Sequence, residues 1–390
     1  MFRSFSRDYV RLLAVAFLWG SATSQLSLFA VVLRHHGMAP PVIAAVLNCS
    51  TLAMIATPLI AGALANRFGA VRTIRLGALF SLLGIATLPF GVSLPAVAGL
   101  GMAGRGIGGG LGMPTGQLFA QAQAGEGEST RAVGMFSAMF LIPSFFGPAL
   151  GEWSLGYWGE AGFFLLPVLP SAAALALVCW LPQTSTPAPP NTSGYLALVR
   201  DRRLWLPNLA TMQSGLAYSF AFAFLPLLLI EGGIRVGLFF APFAAALLLV
   251  RFLGLKYLQR LPPAVLVACG LFAYASGFYL LTAIGASGAF APLCGLLFAF
   301  GYGVVMPSCI TWATFYYTKA ERARPVALAN TSFSIGSIMA VQITGAGLNV
   351  IGWSGVLVIL GTIIAAMCFI LAGHAGRSRA RHSAMRLTTG

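Results

Sequence analysis

Three charged residues stand out because they lie within long apolar stretches. Arg105 and Arg251 are flanked by apolar and glycine residues, and Glu152 lies toward one end of a further apolar stretch. A charged side chain at the centre of a bilayer costs about 2.5–3.5 kcal/mol on insertion scales, so it usually faces a wet cavity or a partner. Because a guanidinium binds carboxylate and phosphate groups through paired hydrogen bonds, Arg105 and Arg251 predict recognition of an anionic group.

The acids are few, and their positions limit the possible proton chemistry. The chain has 8 Asp and Glu residues, and apart from Glu152 they lie in polar connectors, in the N-terminal tail or at the end of an apolar stretch. A carboxylate within the membrane is a common proton carrier. Glu152 is therefore the candidate for proton coupling, and the lack of a deeper acid favours exchange or uptake of an organic anion as an alternative.

Metal, cofactor and enzyme chemistry are not predicted. None of the 6 cysteines forms a Cys-x-x-Cys pair, and no acid stands near His35 and His36 along the chain. These adjacent histidines would point about 100° apart on a helix. The stretch Gly104–Gly109 matches a dinucleotide-binding fingerprint, but it lies inside an apolar helix instead of following a strand. We expect no metal, no cofactor and no enzymatic activity, since no cluster of His, Asp or Glu is present.

The elements that must position these residues are membrane-spanning helices. Of the 390 residues, 58% are hydrophobic and only 8% are charged, whereas about a quarter of a soluble domain is charged. A span needs about 20 apolar residues. The predicted segments are 9–33, 42–65, 73–93, 96–122, 130–156, 161–182, 204–230, 236–257, 263–283, 288–317, 324–350 and 352–373. The fold class is therefore all-α, integral membrane, with twelve transmembrane helices.

The basic residues indicate the orientation. Nearly all of the 23 Lys and Arg residues fall in the two tails and in alternate connectors, as the positive-inside rule requires when both termini are cytoplasmic. They stand in short connectors and form no basic face interleaved with aromatic residues, so we expect no nucleic-acid partner.

An internal repeat divides the chain. Residues 108–115, Gly-Gly-Gly-Leu-Gly-Met-Pro-Thr, align with residues 301–308, Gly-Tyr-Gly-Val-Val-Met-Pro-Ser, at an offset of 193. The repeat predicts two pseudo-symmetric six-helix bundles. The predicted organisation is an N-terminal bundle (1–182), a Pro/Ser/Thr-rich cytoplasmic linker (183–203), a C-terminal bundle (204–373) and a basic cytoplasmic tail (374–390).

Three motifs resemble those of the major facilitator superfamily. Residues 62–69, Gly-Ala-Leu-Ala-Asn-Arg-Phe-Gly, resemble its loop signature, with Asn66 in place of the usual Asp. Residues 105–110, Arg-Gly-Ile-Gly-Gly-Gly, are similar to its Arg-x-x-x-Gly-x-Gly motif in the fourth helix. Residues 147–151, Gly-Pro-Ala-Leu-Gly, resemble the motif of its antiporter branch, except that Glu152 stands where a Gly is usual.

The resemblance implies where the site lies. In this family the substrate path is lined mainly by the first, fourth, seventh and tenth helices, with the second, fifth, eighth and eleventh contributing. The implied substrate-binding residues are Arg105, Ser24, Gln25, Gln213, Tyr218, Trp312, Asn330 and Arg251. The implied coupling or gating residues are Glu152, Arg67, Asn66, Gly147 and Pro148.

The resemblance also implies a function. We expect a monomeric secondary active transporter in a bacterial inner membrane that moves a small organic, anionic or amphipathic compound by alternating access. The antiporter-like motif favours proton-coupled efflux. An organic-anion importer, an exchanger, a facilitative uniporter and a lysolipid flippase on the same fold are the open alternatives.

Overall fold

The computed structural model describes residues 6–123, 129–183, 195–250, 261–284, 287–317 and 323–388. These ranges are almost entirely helical, and none of them contains a strand. The predicted all-α class is thus confirmed. Arg251, one of the two arginines expected to bind an anion, lies outside the described residues.

The described helices follow one another closely along the chain. The first half contains α1 (Arg7–Ser24), α2 (Phe29–His35), α3 (Pro40–Ala56), α4 (Pro58–Phe68), α5 (Ala70–Gly91), α6 (Pro95–Ala122), α7 (Ser129–Leu141) and α8 (Gly147–Cys179). The second half contains α9 (Tyr195–Arg200), α10 (Trp205–Ala223), α11 (Leu225–Glu231), α12 (Gly237–Leu249), α13 (Pro263–Leu281), α14 (Phe290–Thr314) and α15 (Ala323–Thr388). Single 3₁₀ turns, Gln25–Leu28 and Ile142–Phe145, join α1 to α2 and α7 to α8.

Most of these helices are long and apolar enough to cross a membrane. Six spans meet that description among the described residues, or eight when each bent pair counts as one span. Two of the six are 48 residues long, which is enough for two crossings each. They break at Gly159 (φ 65°) and Gly352 (φ 66°), where only a residue without a Cβ adopts the backbone conformation easily. Each long span is therefore a pair of consecutive crossings.

The two remaining predicted segments also have helical counterparts. The fourth corresponds to α6, whose many glycines lower its hydropathy, and the eighth corresponds to α12, which ends at Leu249, just before residues outside the described ranges. Each of the twelve predicted segments thus corresponds to a helix or part of one.

The chain forms two compact units. One consists of Met1–Asn191 together with Phe222–Gly237, and the other consists of Thr192–Ala221 together with Leu238–Gly390. The chain changes unit close to the break between α10 and α11, where the helical axis bends by 42°. The second half of the seventh predicted segment therefore packs with the first unit, and no sequence motif marks this exchange.

The contacts inside the two units repeat at the predicted offset. An alanine Cβ at Gly77 would lie 2.9 Å from the carbonyl oxygen of Gly108, and one at Gly270 would lie 3.4 Å from that of Gly301. The two break glycines, Gly159 and Gly352, are also 193 residues apart. The internal repeat thus governs helix packing as well as sequence, which confirms two pseudo-symmetric bundles.

One arginine caps a neighbouring helix in the first unit. Arg75 on α5 donates Nε to the carbonyl oxygen of Val178 at 3.2 Å, and Nη2 to those of Cys179 and Leu181 at 3.0 and 2.9 Å. The last carbonyls of a helix lack partners within the helix and carry a partial negative charge. The guanidinium therefore supplies the missing donors at the C-terminus of α8.

A short segment at the end of the predicted linker packs within the second unit. Leu198 and Leu204 are buried against Ala313. Between them, the carboxylate of Asp201 accepts hydrogen bonds from the backbone amide of Arg203 at 3.0 Å and from the hydroxyl of Tyr317 at 2.8 Å. These two bonds, the amide first, lower the pKa of Asp201 below its usual value.

Candidate transport site in each unit

Arg105 lies near the middle of the 28-residue helix α6, and its side chain is half-buried. Its Nη1 donates a hydrogen bond to Oγ of Ser50 on α3 at 2.8 Å. The serine hydroxyl is itself buried, so this bond holds one end of the guanidinium in place. Because the helix runs through the membrane, the site places a permanent positive charge in a low-dielectric setting, where it attracts an anionic group strongly.

Glycines bring the backbone of α6 close to α3 around Arg105. An alanine Cβ at Gly106 would lie 2.9 Å from the Cβ of Ala53, and one at Gly110 would lie 2.8 Å from the Cβ of Thr57. Close approach of small residues is the usual way in which membrane helices pack tightly. The result is a rigid support that holds Arg105 at a defined distance from Ser50.

The antiporter-like motif packs against the break between α1 and α2. Gly147 lies against the side chain of Ser24, and an alanine Cβ at Gly151 would lie 3.0 Å from the carbonyl oxygen of Gln25. Pro148 occupies the first turn of α8, where its missing N–H costs nothing. Ser24 and Gln25, both predicted to bind substrate, thus lie against the antiporter-like motif, at the point where the first span changes from α to 3₁₀ geometry.

Two predicted glutamines are buried, and each has one oxygen without a partner. The side chains of Gln25 and Gln213 are only 4% and 6% exposed, and their Oε1 atoms accept no hydrogen bond from the described residues. A buried amide oxygen left in this state costs about 1–3 kcal/mol. Each oxygen is therefore available to an N–H or O–H donor that reaches it.

In the second unit, Tyr218 belongs to a cluster of three aromatic side chains. Its ring stacks on that of Tyr302 with centroids 4.8 Å apart and planes 28° apart, and the ring of Phe333 lies 5.6 Å from that of Tyr218. All three side chains are half-buried. Of these three, the sequence predicts only Tyr218 as a substrate-binding residue. Tyr302 and Phe333 come 84 and 115 residues later, and only the packing of the helices brings the three together.

Other predicted residues occupy different environments. Trp312 is half-buried on α14, and Asn330 is exposed on α15. Arg67 and Asn66 are exposed at the end of α4, where the guanidinium of Arg67 lies 5.3 Å from the ring centroid of Phe68. Glu152 is half-buried on α8, one residue beyond the glycine that contacts Gln25.

A charged cluster that the sequence does not reveal lies at the end of α2. Nε2 of His36 lies 2.8 and 3.0 Å from the two carboxylate oxygens of Glu160, and Nδ1 of His35 lies 3.8 Å from one of them. Nε of Arg34 lies 3.7 Å from the carboxylate of Glu231. The acid that is absent near the histidines along the chain is thus supplied from 124 residues away.

The sequence profile of the Major Facilitator Superfamily matches residues 11–341, which is most of the chain. The chain belongs to this superfamily. As a member, the protein is a multi-pass membrane transporter of a small-molecule substrate and not an enzyme. No curated protein sequence matches the chain significantly.

Solved structures of other superfamily transporters share the fold. A crystal structure of the nucleoside transporter NupG superimposes with a TM-score of 0.76 at 13% identity, covering 94% of this chain and 99% of that one. A POT family transporter in complex with a thioalcohol-conjugated peptide gives 0.78 at 14% identity, covering 95% and 96%. A bacterial homologue of the human lysosomal transporter Spinster, inward-facing and unoccupied, gives 0.71 at 15% identity, covering 94% of each chain. At such identities the likeness concerns the fold alone.

Proposed function

We propose that this transporter exports a small organic compound with an anionic or amphipathic character across a bacterial inner membrane by alternating access. Both termini lie in the cytoplasm, the monomer is the working unit, and export is driven by protons moving inward. Arg105 carries the substrate part of the proposal, and the contact between Gly147 and Ser24 supports the transport part.

The case for an anionic group rests on the setting of Arg105. Its guanidinium is held by Ser50 on a rigid pair of helices in the interior of a membrane protein. Retaining an arginine there is costly, and a bound carboxylate or phosphate would offset that cost. Because arginine offers a planar pair of donors and lysine a single ammonium, the proposal predicts that the two are not equivalent at this position.

The case for export rests on the packing of the antiporter-like motif. Gly147 and Gly151 lie against the 3₁₀ turn between α1 and α2. The 3₁₀ turn interrupts the α-helical hydrogen bonding of the first span, so the turn is suited to act as a hinge. We assign proton coupling to Glu152, because it directly follows Gly151, which lies against this turn.

The test uses purified protein in proteoliposomes. Carboxylates, phosphates, amphipathic amines and lysolipids are first screened for stabilisation of the protein, since a ligand raises apparent stability by mass action. Uptake of the stabilising compound is then measured with a pH gradient of either sign. Accumulation of the compound inside vesicles with an acidic interior supports proton-coupled export, because protons leave as the compound enters. Transport that needs no pH gradient, and only an exchangeable compound on the opposite side of the membrane, supports the exchanger.

Three variants then test the residues. We expect Arg105→Ala to abolish most transport of an anionic substrate and Arg105→Lys to reduce it substantially, while Glu152→Gln removes only the response to the pH gradient. Ser50→Ala is the matched control for the arginine, because it removes the hydrogen bond but keeps the charge. Full activity of a correctly inserted Arg105→Ala protein contradicts the proposed anionic substrate.

A further inference from the structure

We infer that Tyr218, Tyr302 and Phe333 form a binding platform for a planar aromatic ring of the transported compound. We call this cluster the ring platform. The inference rests on the proposed function, since it names the substrate class as organic compounds that carry an aromatic or heteroaromatic ring. It concerns the second unit alone.

The rings of the ring platform form a stack to which a ligand ring can be added. The rings of Tyr218 and Tyr302 are almost parallel, and those of Tyr302 and Phe333 are 6.5 Å apart and tilted by 59°. Offset-stacked and tilted arrangements with centroids 4.5–7 Å apart are those in which aromatic rings attract each other.

The ring platform faces away from lipid. On α14 the exposed apolar side chains are Leu293 (47% exposed) and Leu296 (44%), which mark the face turned toward the bilayer. Tyr302 is nine residues beyond Leu293, which places it about 180° around the helix at about 100° per residue. The partial exposure of Tyr302 is therefore directed toward the protein side of α14 and not toward hydrocarbon.

The ring platform is also held rigidly. Gly215 on α10 lies against the backbone of Phe333, so that an alanine Cβ there would be 2.7 Å from the carbonyl carbon of Phe333. One turn further along α15, Ser337 donates to the carbonyl oxygen of Gly215 at 3.3 Å. The rings on α10 and α15 are thus fixed relative to each other, and a rigid site binds a ligand with a smaller loss of entropy than a flexible one.

The internal repeat indicates that the fold does not require the ring of Tyr302. At the offset of 193, Tyr302 corresponds to Gly109, which has no side chain, while the flanking Gly108 and Gly110 correspond to Gly301 and Gly303. The first unit makes the same helix crossings without a ring at this position. The tyrosine is therefore an addition specific to the second unit, as expected of a residue that contacts a ligand.

The experiment measures binding of a neutral ring, so that Arg105 does not contribute. The probes are 2-naphthylmethanol and its fully saturated counterpart, decahydro-2-naphthylmethanol, which share their carbon skeleton and hydroxyl but differ in aromaticity. Binding to the detergent-purified full chain is followed by thermal stabilisation and by intrinsic fluorescence. We expect the aromatic probe to bind about tenfold more tightly than the saturated one, the ratio that 1.4 kcal/mol produces.

Variants connect this preference to the ring platform. We expect Tyr302→Leu or Tyr218→Leu to lower affinity for the aromatic probe about tenfold. Tyr302→Phe, which keeps the ring, should stay within about twofold of the native protein. Tyr279→Leu is the matched control, because Tyr279 is a tyrosine of the same unit that bonds to Thr362 and is not part of the platform.

Several results would overturn the inference. Two of them concern the native protein: equal binding of both probes, or no binding of the aromatic probe. A third is native-like affinity in the Tyr218→Leu and Tyr302→Leu variants. A fourth is binding of tetraethylammonium more tightly than 2-naphthylmethanol, which would indicate a cation site. Failure of the proposed function is a separate result. Ring binding that depends on Tyr302, without pH-driven flux in proteoliposomes, would retain the platform and reject proton-coupled export.

Discussion

Replacing Gly215 by alanine should separate α10 from α15 and destabilise the second unit. The new Cβ would lie 2.7 Å from the carbonyl carbon of Phe333 and 2.9 Å from its Cα, and closer still to the carbonyl oxygen. Carbon atoms in contact are normally about 3.5–4.0 Å apart, so the helices must separate by about 1 Å. All three atoms belong to the backbone, and no side-chain rotation can relieve the overlap.

The magnitude follows from two losses. Overpacking at a tight interface costs about 1–3 kcal/mol, and separation also stretches the bond from Ser337 to the carbonyl of Gly215, worth about 1 kcal/mol. The expected loss of stability is therefore about 2–4 kcal/mol. It is measured as a lower midpoint of thermal unfolding in detergent and as weaker binding of 2-naphthylmethanol in the protein that remains folded.

Two further variants make this result interpretable. Gly134→Ala is the control, because no atom lies within 4 Å of the new methyl group and alanine is the better helix former. Gly20→Ala should resemble Gly215→Ala, since Gly20 lies against the backbone of Phe140 in the first unit. A Gly215→Ala protein that unfolds at the same temperature as Gly134→Ala would refute the close contact and the rigidity assigned to the ring platform.

The remaining predictions concern three other places in the fold. Gly112→Ala should lower stability by about 1–3 kcal/mol, because its Cβ would overlap the indole ring of Trp19. Combining it with Trp19→Phe should restore part of that loss in the same unfolding assay. Because the pKa of Asp201 is lowered in the folded state, its stabilising effect on the segment at the end of the predicted linker is present above the usual Asp pKa of about 3.9 and is lost as the pH falls below it. Asp201→Asn should therefore raise hydrogen exchange in this segment at pH 7 and remove its pH dependence. Gly147→Ala should reduce transport strongly without preventing insertion, whereas Gly156→Ala on the same helix, with open space around it, should transport normally.

Features that depend on one segment at a time were predictable from the sequence. The cost of moving a polar backbone and its side chains into lipid sets the length and hydropathy of each span, so the twelve helices could be located before any packing was known. The repeat that aligns residues 108–115 with 301–308 likewise anticipated the paired helix crossings, because small residues such as glycine let two membrane helices approach closely.

Features that depend on helix rotation were not predictable. Ser50, the partner of Arg105, lies on another helix, and Glu160 meets His36 from 124 residues away. Such contacts follow from which face each helix turns toward its neighbour, and a single sequence of uniformly apolar helices carries little information about that face. The ring platform was missed for the same reason, since Tyr302 and Phe333 meet Tyr218 only after α10, α14 and α15 have packed.

The capping of α8 by Arg75 has a consequence for protein engineering. Because the final carbonyls of that helix receive their donors from α5, the helix does not depend on the residues that follow it to complete its C-terminus. A fluorescent protein or an affinity tag inserted just after Gln183 would leave those bonds in place. The chain can thus be opened at this position for labelling or for co-expression of its two halves as separate polypeptides.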